Sequence, residues 1–247
     1  DAGIGMAIMG TTLAVAAIGV AAGIAFVVHE RRTADPMLPL GIFRSRSFST
    51  VNAVTFVVYG AMGVVFLLLV LQLQVVTGWG PVAAGIASLP TTLLMMALSS
   101  RSGELAARIG PRVQMSLGPL VMAVGVLLLL PVGAGADYVT NVLPGVTVFG
   151  LGLTAMVAPL TATALSTAPD ELAGLASGIN NAVARTGGLL AVAAIPPLAG
   201  LTGQVVEEPA AFADGYRVAM LACAVIIAAG GVLAGLLLPS GTDLGRP

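Results

Sequence analysis

The feature that most constrains this sequence is a succession of long, nearly charge-free apolar runs. Seven can be marked, at roughly 4–28, 49–72, 82–100, 113–131, 141–165, 173–199 and 216–238. A run of about 20 mostly apolar residues, as a helix, matches the roughly 30 Å hydrocarbon core of a bilayer. Inside lipid every backbone polar group has to be bonded within the protein, which leaves helices or closed barrels. Barrel strands alternate apolar and polar residues, whereas these runs are continuous. An all-α membrane protein with seven transmembrane helices is therefore expected. Composition agrees: charged residues make up 9% of the chain, against about 25% in a soluble domain. That is too little charge to cover a water-facing surface.

The formal net charge of −1 carries no electrostatic footprint for nucleic acid. The distribution of the charge is more informative. Every basic residue is an arginine, and most fall in alternate connections. Arg31, Arg32, Arg44 and Arg46 lie in or beside 29–48, Arg101, Arg108 and Arg112 in 101–112, and Arg246 follows the last run. Positive connections stay in the cytoplasm. The chain is thus expected to start outside and end inside. The connections 72–81, 132–140 and 200–215, with Asp137, Glu207, Glu208 and Asp214 and no basic residue, face out. The stretch "SGELAARIGPR" at 102–112 reads as a tight cytoplasmic turn. Gly103 and Gly110 would supply its backbone freedom, and its arginines would sit at the anionic inner surface. The single cysteine, Cys223, excludes an intrachain disulfide and a cysteine metal pair. The chain opens at Asp1, in or beside an apolar run, without the basic leader of a signal peptide. A piece of a longer protein, or a chain lacking its start, is expected.

Arginine anchoring alone does not account for the ordered spacing G-x-L-x-x-R-x-G-x-R. Through Gly103, Leu105, Arg108, Gly110 and Arg112, the turn resembles the cytoplasmic loop signature of the major facilitator superfamily. It departs from that signature at Ala107, where an Asp is common, which puts a gating role for the loop in doubt. "HERRTADPMLPLGIFRSRSF" at 29–48 is similar to the connector of the fourteen-helix drug:proton antiporters, through Glu30, Arg32, Pro36, Pro39, Leu40, Phe43, Arg44, Arg46 and Phe48. "LASGINNAVARTGGLLAVA" at 175–193 resembles that branch's penultimate helix, and "AFADGYRVAML" at 211–221 the start of its last.

The resemblance implies a C-terminal half. Residues 1–28 would be an extra central helix, 29–48 a cytoplasmic connector, and 49–247 a six-helix domain of two inverted three-helix repeats. It also implies multi-pass residence in the plasma (inner) membrane and proton-coupled multidrug efflux by alternating access. The partners would be the bilayer, the missing N-terminal half and an amphipathic small molecule. No cofactor is implied, only the proton gradient.

Polar groups at membrane depth mark candidate sites. The second run offers Asn52, Thr55, Tyr59 and Phe66, with Asn52 and Tyr59 seven apart on one helix face. Two uses are open: a mixed polar and aromatic cavity wall, or interhelical hydrogen bonding of about 1 kcal/mol. The sixth run carries Asn180, Asn181 and Arg185, the last two four apart on one face. Arg185 meets substrate, a carboxylate of the missing half or water, or else snorkels to the inner surface. The fifth run carries Thr147, Thr154, Thr161 and Thr163 with Pro144 and Pro159; these support kinks and a polar cavity face, or packing. Gly60 and Gly63, Gly150 and Gly152, and Gly187 and Gly188 are expected at helix contacts. In "STAPDELAG" at 166–174, Thr167 reads as an N-cap, with Pro169 in the first turn and Asp170 at the capping-box position. Asp170 and Glu171 are either ordinary capping residues or an inner latch to Arg108 or Arg112.

No Asp or Glu occurs deep in any run, so the resemblance places the proton-titrating carboxylate in the N-terminal half. An intramembrane enzyme would need a cluster of catalytic or metal-binding groups. One His, one Cys and no H-E-x-x-H argue against it, and no metal is expected. Other readings stay open: uptake or export of a small nutrient or metabolite, or a non-transporting membrane partner or sensor of the same fold. A sugar site is disfavoured by one Trp, Trp79 at the expected outer interface, and three Tyr.

Overall fold

A computed structural model describes residues 2–33, 36–166, 170–203 and 208–239. Among these there is no strand. The helices are α1 (Ala2–Arg32), α2 (Arg46–Val75), α3 (Pro81–Ile86), α4 (Leu89–Ile109), α5 (Pro111–Leu128), α6 (Leu143–Ser166), α7 (Ala173–Leu198) and α8 (Pro209–Leu237). Short 3-10 turns stand at Leu40–Arg44 and Asp170–Leu172, and a π turn at Tyr138–Val142 leads into α6. The chain divides into two compact units, Asp1–Arg44 and Ser45–Pro247.

By length and composition five segments among the described residues can cross a membrane: Arg46–Val75, Pro81–Ile109, Pro111–Leu128, Tyr138–Ser166 and Pro209–Leu237. The sequence expectation was seven. Its other two spans correspond to α1 and α7, helices of 31 and 26 residues. The first half of α7 holds Asn180, Asn181 and Arg185, which dilute its apolar content. In α1 the side chains are described only from Ala14 onward, Ala16 excepted, and from Ala14 to Val28 they are exposed.

In the first unit α1 ends in a folded-back segment. His29 C=O accepts from both the backbone N–H and the hydroxyl of Thr33, at 3.1 and 2.9 Å. The Glu30 carboxylate accepts from Leu38 N at 2.8 Å.

In the second unit prolines set the helix starts. Pro81, Pro111 and Pro209 open α3, α5 and α8, where a missing N–H leaves no intrahelical bond unmade. Pro90 has a sharper effect. The run 82–100 was expected to be one helix, but α3 ends at Ile86 and α4 starts at Leu89. Proline at 90 cannot donate to the Ile86 carbonyl, and its ring crowds that group. The helix therefore breaks at the residue left without a donor. Two boundaries also move. The last helix starts at Pro209 rather than near 216, and α4 runs on to Ile109 rather than ending near 100.

The second correction bears on the "SGELAARIGPR" stretch. It is no loop: Ser102 to Ile109 are helical, and the turn is reduced to Gly110, at φ 85° and ψ 148°. That left-handed φ suits glycine, and Pro111 starts the next helix at once. Gly103 lies inside α4, so the backbone freedom expected of it is not used.

Helices α2, α6, α5 and α8 form the core, with α4 packed on α6 and α7 on α2. Tyr216, Phe48, Phe149, Phe212, Met115, Met122 and Met156 are among its fully buried side chains. Glycines set how closely the helices approach. A Cβ on Gly125 would stand 2.4 Å from Phe149 N, and one on Gly152 would stand 2.5 Å from both Gly118 O and Met122 N. A Cβ on Gly187 would stand 2.6 Å from Phe56 O, one on Gly150 2.9 Å from Thr91 Cα, and one on Gly60 3.1 Å from Gly187 O. A Cβ on Gly63 would meet Gly188 Cα at an ordinary contact distance, 3.6 Å. The glycines expected at contacts are therefore found there.

Candidate functional site

The close approach of Gly60 and Gly187 brings the first half of α7 against α2. Asn180 there donates from Nδ2 to Thr55 Oγ1 at 2.9 Å and to Asn52 Oδ1 at 3.3 Å. Both acceptors also serve their own helix: Asn52 Nδ2 donates to Phe48 O and Thr55 Oγ1 to Val51 O, each at 2.9 Å. Asn52 and Thr55 are buried. Of the two uses open for them, the geometry shows the interhelical hydrogen bonding.

One turn further along α2, Tyr59 is only half-buried and lines a pocket with Thr161, Leu165, Ser177, Asn180 and Asn181. The pocket has a volume of about 90 Å³. A liquid water occupies about 30 Å³, so this space suits a few waters and no larger ligand. Its rim carries a phenol, two primary amides and two hydroxyls without a formal charge. Asn181 is exposed and donates to Ser177 O at 3.0 Å. Arg185, one turn beyond Asn181, is exposed and has no hydrogen bond or ion pair to any described residue.

The other candidates lie elsewhere. Phe66 packs edge-to-face on Phe149, with centroids 5.5 Å apart and rings at 84°. Thr154 is buried and donates to Gly150 O at 2.7 Å. Thr163 does the same to Pro159 O at 2.7 Å. In a dry interior a threonine hydroxyl finds its nearest acceptor one turn back on its own helix; Thr163 also borders a separate space of about 260 Å³ with Gly103, Pro111 and Ser166.

Sequence reasoning passed over three groups. Ser177 lines the pocket, and its spacing of three and four from Asn180 and Asn181 was readable. Gln72 is fully buried in α2 and donates to Val132 O at 2.7 Å. Gln114 in α5 donates to Ser102 O and Oγ at 3.2 and 3.3 Å, and Ser102 Oγ donates to Ala155 O at 3.3 Å. These bonds tie α4, α5 and α6 together.

The sequence profile of the Major Facilitator Superfamily matches residues 2–192. The chain belongs to the major facilitator superfamily. That is a family of membrane transporters and not of enzymes. The chain is 31% identical to the "Puromycin resistance protein pur8" of Streptomyces alboniger, over 92% of this chain and 47% of that protein. It is 32% identical to the "Tetracenomycin C resistance and export protein" of Streptomyces glaucescens, over 95% of this chain and 43% of the other. It is 35% identical to the "Multidrug resistance protein Stp" of Mycobacterium tuberculosis, over 69% and 31%. The chain thus spans no more than about half the length of these curated relatives.

Within the stretch that resembles the superfamily's loop signature the residues divide by what they touch. Leu105 and Arg108 are exposed, and Gly110 makes the turn. Arg112 Nε donates to Gly235 O at 2.8 Å, which ties the start of α5 to the end of α8. Arg112→Gln is expected to lower the unfolding free energy of the detergent-solubilised protein by about 2 kcal/mol, the scale of a charged hydrogen bond. Arg108→Gln should stay within about 0.5 kcal/mol. Parallel thermal melts check both.

The inner latch is not seen for Glu171, which is exposed and forms no ion pair among the described residues. Helix α7 is capped by Leu172 without a side-chain bond, so Asp170 falls in the preceding 3-10 turn and not at N3. Thr167, Pro169 and the Asp170 side chain lie outside the described residues, as do Glu207 and Arg246.

Proposed function

We propose that this chain is the C-terminal part of a secondary active exporter of amphipathic small molecules, working by alternating access with proton antiport. One observation carries the reading: the polar pocket at Tyr59, Asn180 and Asn181 is an incomplete site. A drug-sized ligand needs about 300–1,000 Å³, while this pocket offers about 90 Å³. A second protein surface has to enlarge and close it. The greater length of the relatives can supply that surface as an N-terminal half, and their names concern antibiotic resistance and export. Arg185, exposed on the turn beyond Asn181, would meet a carboxylate of that half or an acceptor on the substrate. With no Asp or Glu deep in any apolar run of this chain, the proton-titrating group belongs to the same missing half.

The architecture proposed with this function has seven spans, starting outside and ending in the cytoplasm of a cell with its plasma membrane as host. Residues 1–28 form an extra central helix and 29–48 a connector. The remainder is a six-helix domain of two inverted repeats, α2–α4–α5 and α6–α7–α8. The packing scheme supports this. The principal interfaces are α5 with α6, α2 with α7, α5 with α8, α4 with α6 and α2 with α8. Exchanging α2 with α6, α4 with α7 and α5 with α8 returns the same set, as two equivalent three-helix units require.

The test uses the complete transporter. Tyr59→Ala is expected to lower export of an amphipathic dye about tenfold, a change worth about 1.4 kcal/mol, with membrane insertion unaltered. Tyr59→Phe should lower it less. Wild-type export by Tyr59→Ala would remove the pocket from the transport path. Export that persists after an uncoupler has collapsed the proton gradient would remove antiport.

A further inference from the structure

The end of α1 holds a buried carboxylate that the proposed transport site does not use. Glu30 is 6% exposed, and its carboxylate accepts from Leu38 N at 2.8 Å. Among the described residues it forms no ion pair. The bond to Leu38 has two consequences for the surface. It turns a negative charge away from the arginines beside it. Arg31 and Arg32 are exposed, and their side chains have no hydrogen bond or ion pair among the described residues. It also returns the chain to the helix end. Ile42 N donates to Pro39 O at 3.0 Å, and the 3-10 turn Leu40–Arg44 ends on a third exposed arginine with no such partner. With about 2.0 Å per residue in that turn and at most about 3.6 Å per residue before it, Arg44 Cα lies within about 15 Å of Leu38 Cα. Asp35, the other acid between α1 and this turn, lies outside the described residues.

What covers this cationic end is set by the helix it is joined to. Val15, Ile18, Val20 and Ile24 of α1 are 60–70% exposed. Only lipid or further apolar helices can cover such a surface, so α1 runs at membrane depth and its last turn emerges at Arg31 and Arg32. There the arginine stems reach the headgroup level, and the cytoplasmic leaflet is anionic. Two apolar side chains in the same stretch point to lipid over a soluble anion. Met37 is 84% exposed and Phe43 39%. Apolar side chains set among arginines suit the boundary between headgroups and acyl chains. Free phosphate or an acidic protein segment would give them no apolar surroundings.

We infer that the folded-back end of α1 is a binding site for an anionic phospholipid. Arg31, Arg32 and Arg44 take the headgroup phosphate, whose oxygens match the guanidinium fork, and Met37 and Phe43 rest on the acyl boundary. Glu30 is a positioning residue: it holds Arg44 near Arg31 and Arg32 while keeping its own charge off the surface. The inference does not depend on the transport reading.

Trp79 is the only tryptophan of the chain, so Trp79→Phe combined with Met37→Trp leaves one indole, placed at the site. The 247-residue chain carrying both changes would be reconstituted in phosphatidylcholine nanodiscs. Brominated phosphatidylglycerol or brominated phosphatidylcholine is then added in rising mole fraction. The expected result is half-maximal quenching at a lower mole fraction for the glycerol lipid. At about fivefold per arginine, Arg44→Gln should raise that mole fraction about fivefold, and Arg31→Gln with Arg32→Gln about twenty-five-fold. Glu30→Leu decides whether the fold builds the site. It makes the chain more positive, yet it should weaken phosphatidylglycerol binding about as much as Arg44→Gln, because Arg44 is released. Equal quenching by the two lipids, or quenching unchanged by the arginine substitutions, would overturn the proposal. So would tighter phosphatidylglycerol binding by Glu30→Leu, which is what attraction by net charge alone gives. Displacement of the brominated lipid by soluble glycerol phosphate would overturn lipid as the occupant.

Discussion

Gly152→Ala is expected to abolish the folded second unit, although it adds a single methyl group. That methyl would lie 2.5 Å from Gly118 O and Met122 N and 2.8 Å from the Met122 side chain. The first two neighbours are backbone atoms of α5, so no rotamer change relieves the contact, and α5 and α6 have to separate. Separation carries away the neighbouring contacts too. Gly118, Gly125 and Gly145 line the same seam, and a Cβ on Gly125 is the tightest of all, 2.4 Å from Phe149 N. Overpacking of a formed core costs about 3 kcal/mol, and lipid gives the separated helices no hydrophobic drive to return. A matched control isolates the cause. Gly103 is also helical, and a Cβ there meets nothing within 4 Å. Gly103→Ala should therefore gain up to about 1 kcal/mol from helix propensity alone. Fluorescence-detected size exclusion after detergent extraction reads both. A monodisperse peak at wild-type yield for Gly152→Ala would mean that this seam does not set the α5–α6 distance.

The contrast between these two glycines shows what the sequence could and could not disclose. Helices were legible because lipid permits little else to a continuous apolar run. Their ends were less so, because hydropathy reports the apolar segment and not the chain's last hydrogen bond. Thus α4 continues through charged residues to Ile109, and only Gly110 turns. The break before Pro90 was in principle readable, since the missing donor is visible in the letters. The candidate site was half legible. Tyr59, Asn180 and Asn181 do share a pocket. Asn52 and Thr55 were indistinguishable from them by spacing, and they are sorted by which helix covers them. Thr154 stayed open between cavity and packing because a threonine's choice between a ligand and its own helix depends on burial. The glycine seams are legible as a class but not in rank: nothing in the letters separates Gly152, where a Cβ would stand 2.5 Å from backbone atoms, from Gly63, where its nearest neighbour would be 3.6 Å away.

Asn180→Leu is the second large effect expected, and its loss should be greater in transport than in stability. Among the described residues α7 has only Ala176 and Gly187 fully buried, so it is the least embedded helix of its unit. Its strongest neighbour is α2. Along that seam the glycines set distance, and Asn180 supplies directional bonds, to Thr55 and Asn52. Leucine keeps the volume and removes both donors. Thr55 Oγ1 and Asn52 Oδ1 are then left with no α7 partner in a buried setting. Interhelical hydrogen bonds in membranes are worth about 0.6 kcal/mol on average and up to about 1.7 kcal/mol, so a loss of about 1–2 kcal/mol is expected in a thermal melt. On the proposed function, export by the complete transporter should fall more steeply, about tenfold or beyond. Asn180 lines the pocket itself, and its bonds hold Asn181 and Ser177 on the pocket side of α7. The comparison that separates the two roles is Asn180→Gln, which restores a donor one methylene further out. If Gln recovers stability and not export, Asn180 acts by placing the pocket wall. If both recover together, or if Leu melts early and exports normally, the α2–α7 bond is structural only.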